Sequence, residues 1–180
     1  KAILESRFES REVKPRSMRL AIYIEPWISQ RAGIAVFTEN LVREAEKSRS
    51  HEYVLIGSEN VDSKLETIII AKRHLSFFNP VRQIGDGYID LSKYGIDWLI
   101  DTAHYATQGV LKAKDKLLIV HDLTALNQAK YHRWTSVLAH KLWLKKSIES
   151  ASRIVTVSDQ TAKDVSSFAD VEHKMTTIYP

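Results

Sequence analysis

The apolar residues of this chain occur in short runs that alternate with segments of helical periodicity. The short runs predict strands at RLAIYIE (19–25), YVLIG (53–57), ETIII (66–70), HLSFF (74–78), DWLID (97–101), KLLIV (116–120), RIVTVS (153–158) and KMTTIY (174–179). The periodic segments predict helices at 34–47, 80–95, 133–151 and 159–168, with a loop through PWISQRAG (26–33). Alternating strands and helices build a parallel sheet that helices cover on both faces. The sequence therefore predicts an α/β fold with a doubly wound, mainly parallel sheet.

Length and cysteine content limit the class of protein further. The 180 residues suffice for one domain with a substantial hydrophobic core. There is no cysteine, which excludes disulfides and thiolate metal sites and is compatible with a cytosolic location. No apolar run approaches the roughly 18 residues that span a bilayer, and the charged segment 1–18 lacks the apolar centre of a signal peptide. We interpret 1–18 as an extension or short helix that precedes a domain at 19–180.

The basic residues point to anionic partners. A net charge of +4 suits nucleic acid, phosphorylated small molecules or an acidic membrane surface. The segment KYHRWTSVLAHKLWLKK (130–146) contains five Lys or Arg and no acidic residue. One interpretation is a basic helix whose Trp134 and Trp143 rest on anionic lipid, and the other is a helix with inward tryptophans and solvated lysines. Nucleic acid is the weaker choice, because one basic helix is not a recognisable nucleic-acid-binding module.

A glycine ends the first of three loops that follow predicted strands directly. Ligands of doubly wound sheets bind beyond the carboxyl ends of the strands, so these loops are candidate sites. In SQRAG (29–33), Gly33 comes just before a helix whose free N–H groups attract phosphate or carboxylate. A glycine there lets a ligand approach the backbone, although an ordinary turn glycine explains the same pattern. A single glycine is not a dinucleotide-binding fingerprint.

The second and third loops carry histidines. His104 and Tyr105 follow DWLID, and loop histidines of this kind are commonly solvated and without function. His121 and Asp122 follow KLLIV. In one interpretation Asp122 caps a turn and His121 is a hydrogen-bonded residue at the edge of the sheet. In the other, His121 titrates near neutrality and holds negative charge or a sugar hydroxyl.

Three segments together resemble the N-terminal domain of a GT-B glycosyltransferase of family 4, the group 1 glycosyltransferases. They are RAGIAVFTENLVREA (31–45), HDLTALNQAKYHRWTSVLAHKLWLKKSIESASRIVTVSDQTAKDV (121–165) and KMTTIYP (174–180). The resemblance extends from 19 to 180, and its most specific part is HDL followed by a long helix and SRIVTVSDQTAKDV. The family usually has two adjacent glycines in the first loop, whereas here Ala32 precedes Gly33. The stretch from about 57 to 95 shows no family motif.

The resemblance implies a Rossmann-like domain and an activity. A retaining enzyme of this family transfers a sugar from a nucleotide-diphosphate donor to a hydroxyl of an acceptor, here a glycan or a lipid-linked glycan. This chain would be the acceptor-side domain, and the C-terminal domain that binds most of the donor nucleotide is expected outside this sequence. No cofactor and no divalent metal ion is implied, and the sequence contains no Asp-x-Asp motif. A role in polysaccharide biosynthesis is expected in the cytoplasm, and the basic segment suggests a peripheral position on the cytoplasmic face of the membrane.

The resemblance also implies roles for individual residues. His121 would face the transferred sugar and the acceptor, as the catalytic candidate. Further residues would bind substrate on the diphosphate side or the acceptor side: Arg31, Gly33, His104, Tyr105 and Asp122. Two alternatives remain, a nucleotide-sugar epimerase of the GT-B fold and a non-catalytic domain of that fold. The pairing of HDLTAL with ASRIVTVS argues against the epimerase.

Overall fold

A computed structural model describes residues 17–29, 33–71, 89–104, 107–123 and 143–179. The predicted strand at 74–78 and most of the predicted helix at 133–151 lie outside these ranges, as do residues 1–16. Two of the candidate site residues, Arg31 and Tyr105, also lie outside them.

The described ranges contain strands and helices close to those predicted. The strands are β1 (Arg19–Tyr23), β2 (Glu52–Gly57), β3 (Thr67–Ile69), β4 (Ile89–Asp90), β5 (Trp98–Asp101), β6 (Leu111–Lys112), β7 (Asp115–Val120), β8 (Arg153–Thr156) and β9 (Met175–Thr177). The α-helices are α1 (Glu25–Ser29), α2 (Gly33–Lys47), α3 (Lys145–Ser150) and α4 (Asp159–Phe168). Short 3₁₀ helices lie at Leu91–Tyr94 and Glu172–Lys174. No helix within these ranges is long and apolar enough to cross a membrane.

Seven strands form one parallel sheet in the order β3-β2-β1-β5-β7-β8-β9, and β4 pairs with β6 in a separate two-stranded sheet. The strand order reverses between β1 and β5, because the chain runs from β1 outward to β3 and then returns to the other side of β1. The predicted α/β class and the Rossmann-like, mainly parallel sheet are therefore confirmed. In such sheets the crevice for ligands opens at this reversal, beyond the carboxyl ends of the strands.

Burial explains why these sequences adopt these elements. Strand β1 is buried from Leu20 to Tyr23, as expected of a central strand covered on both faces. Helix α2 turns a narrow stripe inward, made of Ala35, Thr38, Val42 and Ala45. Helix α4 starts where predicted, because the Ser158 hydroxyl accepts a hydrogen bond from the Thr161 amide at 3.1 Å and so caps the first turn.

The loop predicted at PWISQRAG is wrong in its first half, since Glu25–Ser29 forms the short helix α1. The Glu25 carboxylate, 7% exposed, accepts hydrogen bonds from the amide and the hydroxyl of Ser58, both at 3.0 Å. These bonds tie the start of α1 to the residue after β2. Pro26 is compatible with this turn, because a proline in the first turn of a helix removes no intrahelical hydrogen bond.

The helix predicted at 80–95 is wrong over its described part. Ile89–Asp90 is extended and pairs with Leu111–Lys112, a strand that was not predicted. The Asp90 carboxylate then accepts a hydrogen bond from the Ser92 amide, which starts a separate 3₁₀ turn. Gly95 ends that turn with φ of 70°, a left-handed conformation that glycine adopts without strain. Residues 80–88 lie outside the described ranges.

Candidate functional site

Two histidines meet at the carboxyl edge of the sheet, the edge where the parallel strands end. His104 follows β5 and His121 follows β7, and these strands are direct neighbours. The two imidazole rings lie 5.5 Å apart between centroids, with their planes inclined by 32°. The fold therefore brings together two residues that are separate candidates in the sequence.

Each histidine is hydrogen-bonded to the loop that carries the other. His121 Nε2 lies 3.2 Å from the carbonyl oxygen of Thr102, and His104 Nε2 lies 3.2 Å from the carbonyl oxygen of Asp122. A carbonyl only accepts, so we assign the proton to Nε2 in both rings. In neutral His121 this assignment leaves the lone pair on Nδ1, which can accept a hydrogen bond from a ligand.

The surroundings of His121 favour its neutral form. Burial is the largest influence and lowers the pKa of His121 below its ordinary value, while the Thr102 carbonyl and the Asp122 charge act in the opposite direction. The edge of the Phe37 ring packs on the imidazole at 4.8 Å between centroids. Thr161 donates its hydroxyl hydrogen bond to the His121 carbonyl at 3.0 Å. At neutral pH this side chain is suited to hold a hydroxyl group rather than an anion.

The lowered pKa of His121 predicts a loss of stability in acid. The unfolded chain takes up a proton at the ordinary histidine pKa of about 6.5, whereas the folded chain does so only at a lower pH. The stabilising contribution of His121 is complete above about pH 6.5, the pKa in the unfolded chain. It disappears as the pH falls through the lower pKa of the folded chain. Urea unfolding at about pH 7.5 and pH 5 should show a smaller acid loss for His121→Gln than for the unsubstituted chain. An identical acid loss in the two proteins would contradict this, and exposed His173→Gln is the control.

His104 is not the solvated loop residue that the sequence favoured. Its exposed fraction is 6% and its φ is 62°, in the left-handed region that side chains other than glycine seldom adopt. Its carbonyl accepts a hydrogen bond from the buried Ser147 hydroxyl at 2.8 Å. Ser147 in turn accepts one from the Lys116 ammonium at 3.1 Å. Contacts from α3 and β7 therefore hold His104 in a conformation that costs energy.

A buried carboxylate supports the loop that leads to His104. Asp101, fully buried at the end of β5, accepts hydrogen bonds from the amide of Ala103 at 3.0 Å and from the hydroxyl of Thr107. The Thr102 hydroxyl donates to the Tyr23 carbonyl at 2.7 Å, which joins the loop to β1. The Tyr23 side chain is buried as well, and burial raises its pKa, with the nearby Asp101 charge as the next cause.

The N-terminus of α2 opens towards the same edge. Gly33 is exposed, and a Cβ atom added to it would meet no heavy atom within 4 Å. Phe37, about one helical turn later, is the residue that touches His121. The N-terminal part of this helix and the His121 imidazole thus belong to one region. Asp122 is exposed beside it.

Two contributors to this region escaped sequence reasoning. Thr102 acts through its backbone carbonyl, which no residue type signals. Phe37 lies in the helix predicted at 34–47, but its contact with His121 depends on how α2 packs. Among the described residues, no three His, Asp or Glu side chains lie close enough together to hold a metal ion.

The arrangement can therefore bind two kinds of group side by side. The helix N-terminus suits an anion, and the Nδ1 atom of neutral His121 suits a hydroxyl hydrogen. Comparisons of the chain with protein-family models and with curated proteins found no match.

Proposed function

We propose that this chain is the acceptor-side domain of a retaining glycosyltransferase of the GT-B type. The enzyme would transfer a sugar from a nucleotide-diphosphate donor to a hydroxyl of a glycan or a lipid-linked glycan. The proposal rests on the sequence resemblance and on one structural observation, the contact between His121 and Phe37 of α2, whose first residue, Gly33, faces open space. It includes no metal ion and no cofactor, because the resemblance implies none.

The two groups match the charges that develop during sugar transfer. As the bond to the donor breaks, negative charge accumulates on the leaving diphosphate and positive charge on the sugar ring. Helix N–H groups at Gly33 stabilise the negative charge, since they are already oriented and need no reorganisation. Nδ1 of His121 accepts a hydrogen bond from a sugar or acceptor hydroxyl and so fixes the reacting groups in one geometry.

Charge placed at Gly33 tests the diphosphate site directly. Gly33→Asp fits the open space there and suits a helix N-terminus, so the fold should be retained or slightly stabilised. We expect it to weaken binding of UDP- or GDP-sugars at least about 5-fold, because two like charges 4 Å apart repel by about 1 kcal/mol even in water. Ligand-observed NMR suits the millimolar affinity expected of an acceptor-side domain by itself.

The matched control is Gly33→Asn, which has the same size without the charge. Equal weakening by Asn and Asp would mean that bulk rather than charge matters at this position. If Gly33→Asp leaves nucleotide-sugar binding unchanged, the diphosphate does not bind at the N-terminus of α2. A failure of the unsubstituted chain and of the complete enzyme to bind any nucleotide-sugar would favour the non-catalytic alternative.

Exposed lysines on α3 permit a test of the proposed contact with anionic membranes. Lys145 and Lys146 are exposed, whereas Trp143 is half-buried and packs against Gly109, where an added Cβ atom would lie 3.1 Å from the indole. This packing makes charge the main source of lipid attraction in the described part of the segment. Trp134 and Lys141 lie outside the described ranges.

We expect Lys145→Glu with Lys146→Glu to weaken co-sedimentation with phosphatidylserine vesicles about 30-fold, from about 1 kcal/mol for each lysine near the surface. The control is the double change of Lys47 and Lys64 to Glu, which alters the net charge equally on another exposed surface. Equal pelleting of the two double variants would attribute any attraction to net charge alone. If the variant with Lys145 and Lys146 changed to Glu pellets as strongly as the unsubstituted chain, the proposed membrane contact is contradicted.

A further inference from the structure

We infer that His104 is a positioning residue for His121, and that it acts by donating a hydrogen bond from Nε2 to the carbonyl of Asp122. This bond fixes the backbone directly after His121. The effect of His104 on the position of His121 does not depend on the proposed function. Its effect on sugar transfer rests on the proposed function.

The hydrogen bonds between the two loops are reciprocal. The loop after β5 offers the Thr102 carbonyl to the His121 ring, and the loop after β7 offers the Asp122 carbonyl to the His104 ring. Thr102 and His104 are two residues apart, and His121 and Asp122 are adjacent. Loss of the bond to Asp122 therefore releases the backbone adjacent to His121, and loss of the bond to Thr102 releases the backbone two residues before His104.

The backbone of His104 is held in an unfavourable conformation by a buried hydrogen bond. Its left-handed φ of 62° is held by the Ser147 hydroxyl, which binds the His104 carbonyl, and Ser147 is itself fully buried. An unfavourable conformation persists where the surroundings enforce it, and such residues cluster at functional sites. With 6% of its surface exposed, His104 has little area for a ligand. It is therefore suited to act through its neighbour rather than on a substrate.

The pKa of His121 reports whether the loop that carries it stays in place, because few other titratable groups face this side chain. His104 faces it from the loop after β5, and Asp122 is the charged neighbour on its own loop. The described contacts from α2 and α4 come from Phe37 and Thr161, which do not titrate in this range. Burial is the main cause of the lowered pKa of His121, so a loosened loop would admit water and raise that pKa towards its ordinary value.

Two substitutions separate the hydrogen bond from the backbone conformation. His104→Gly removes the donor but suits the left-handed φ, so the chain should still fold. His104→Gln places an amide N–H close to where the Nε2–H of histidine lies, and should restore the bond to Asp122. His173→Gln is the control, since His173 is exposed and lies next to β9.

The test is an NMR titration of the His121 imidazole in these four forms of the 180-residue chain. We expect the His121 pKa to rise in His104→Gly, to return towards the original value in His104→Gln, and to stay unchanged in His173→Gln. An unchanged pKa in His104→Gly would overturn the inference. Equal rises in the Gly and Gln variants would overturn it as well, because the hydrogen bond would then not be the cause.

Kinetics separate this inference from the proposed function. In the two-domain enzyme, His104→Gly should lower kcat by up to about 100-fold with little change in KM for the donor, since misplacement of a reacting group mainly affects turnover. A raised His121 pKa in an enzyme without glycosyltransferase activity would support the positioning role and refute the proposed function. A raised pKa with an unchanged kcat would refute the role of His104 in catalysis.

Discussion

Under the proposed function, His121→Ala should lower the turnover of sugar transfer about 100-fold or more, with the fold intact. A single well-placed hydrogen-bonding group can contribute about 2.7–4 kcal/mol to stabilising a transition state. The substitution removes the Nδ1 acceptor and opens space beside Phe37 and the N-terminus of α2. Sugar transfer under saturating donor and acceptor gives kcat directly.

Activity and thermal unfolding have to be measured on the same preparation of His121→Ala. A merely structural histidine would lower the melting temperature and spare the activity of the molecules that stay folded. His51→Ala is the matched control, because His51 is also partly buried and binds a backbone amide, that of Met18, far from the carboxyl edge. Near-normal turnover in His121→Ala would assign His121 to a structural role.

Asp101→Ala should cause the largest loss of stability among the substitutions considered near the site. It leaves the hydroxyl of Thr107 and the amide of Ala103 without their acceptor in a buried place. Each orphaned group costs about 1–3 kcal/mol, so we expect the free energy of unfolding to fall by about 3 kcal/mol. For a chain of this length that corresponds to a melting temperature lower by about 6–12 °C.

Asp101→Asn provides the comparison, because its side-chain amide still offers one acceptor and the Thr107 hydroxyl can reverse its role. We expect the Asn variant to lose about half as much stability as the Ala variant. The loop from Thr102 to His104 should also loosen in Asp101→Ala, which faster amide exchange there would report. Equal melting temperatures for Asp101→Ala and the unsubstituted chain would show that these hydrogen bonds contribute no net stability.

The regular elements could be predicted because their patterns are local. Helix α2 begins one residue before the predicted 34–47, and α4 has the predicted bounds of 159–168. In both helices the apolar spacing suffices to locate the element, and Ser158 supplies a recognisable cap. The parallel pairing of the strands then follows from the alternation of strand and helix.

The parts that could not be predicted depend on partners far away in the sequence. Helix α1 is anchored by the bond between Glu25 and Ser58, and β4 exists because β6 lies beside it. The same holds at the candidate site, where the loops could be found but their mutual hydrogen bonds could not. The left-handed conformation of His104 is a further example, since a histidine in sequence gives no sign of positive φ.

The position of β1 between β2 and β5 has a consequence for how the chain folds during synthesis. The pairing of β1 with β2 spans 33 residues, from Arg19 to Glu52, whereas the bond from Arg19 to Asp97 on the β5 side spans 78. At 5–20 residues per second, the ribosome needs about 4 to 16 s to add the longer stretch. During that interval one edge of an apolar central strand has no partner, and such edges pair readily with other chains. Aggregation of nascent chains is therefore expected to depend on how quickly β5 emerges.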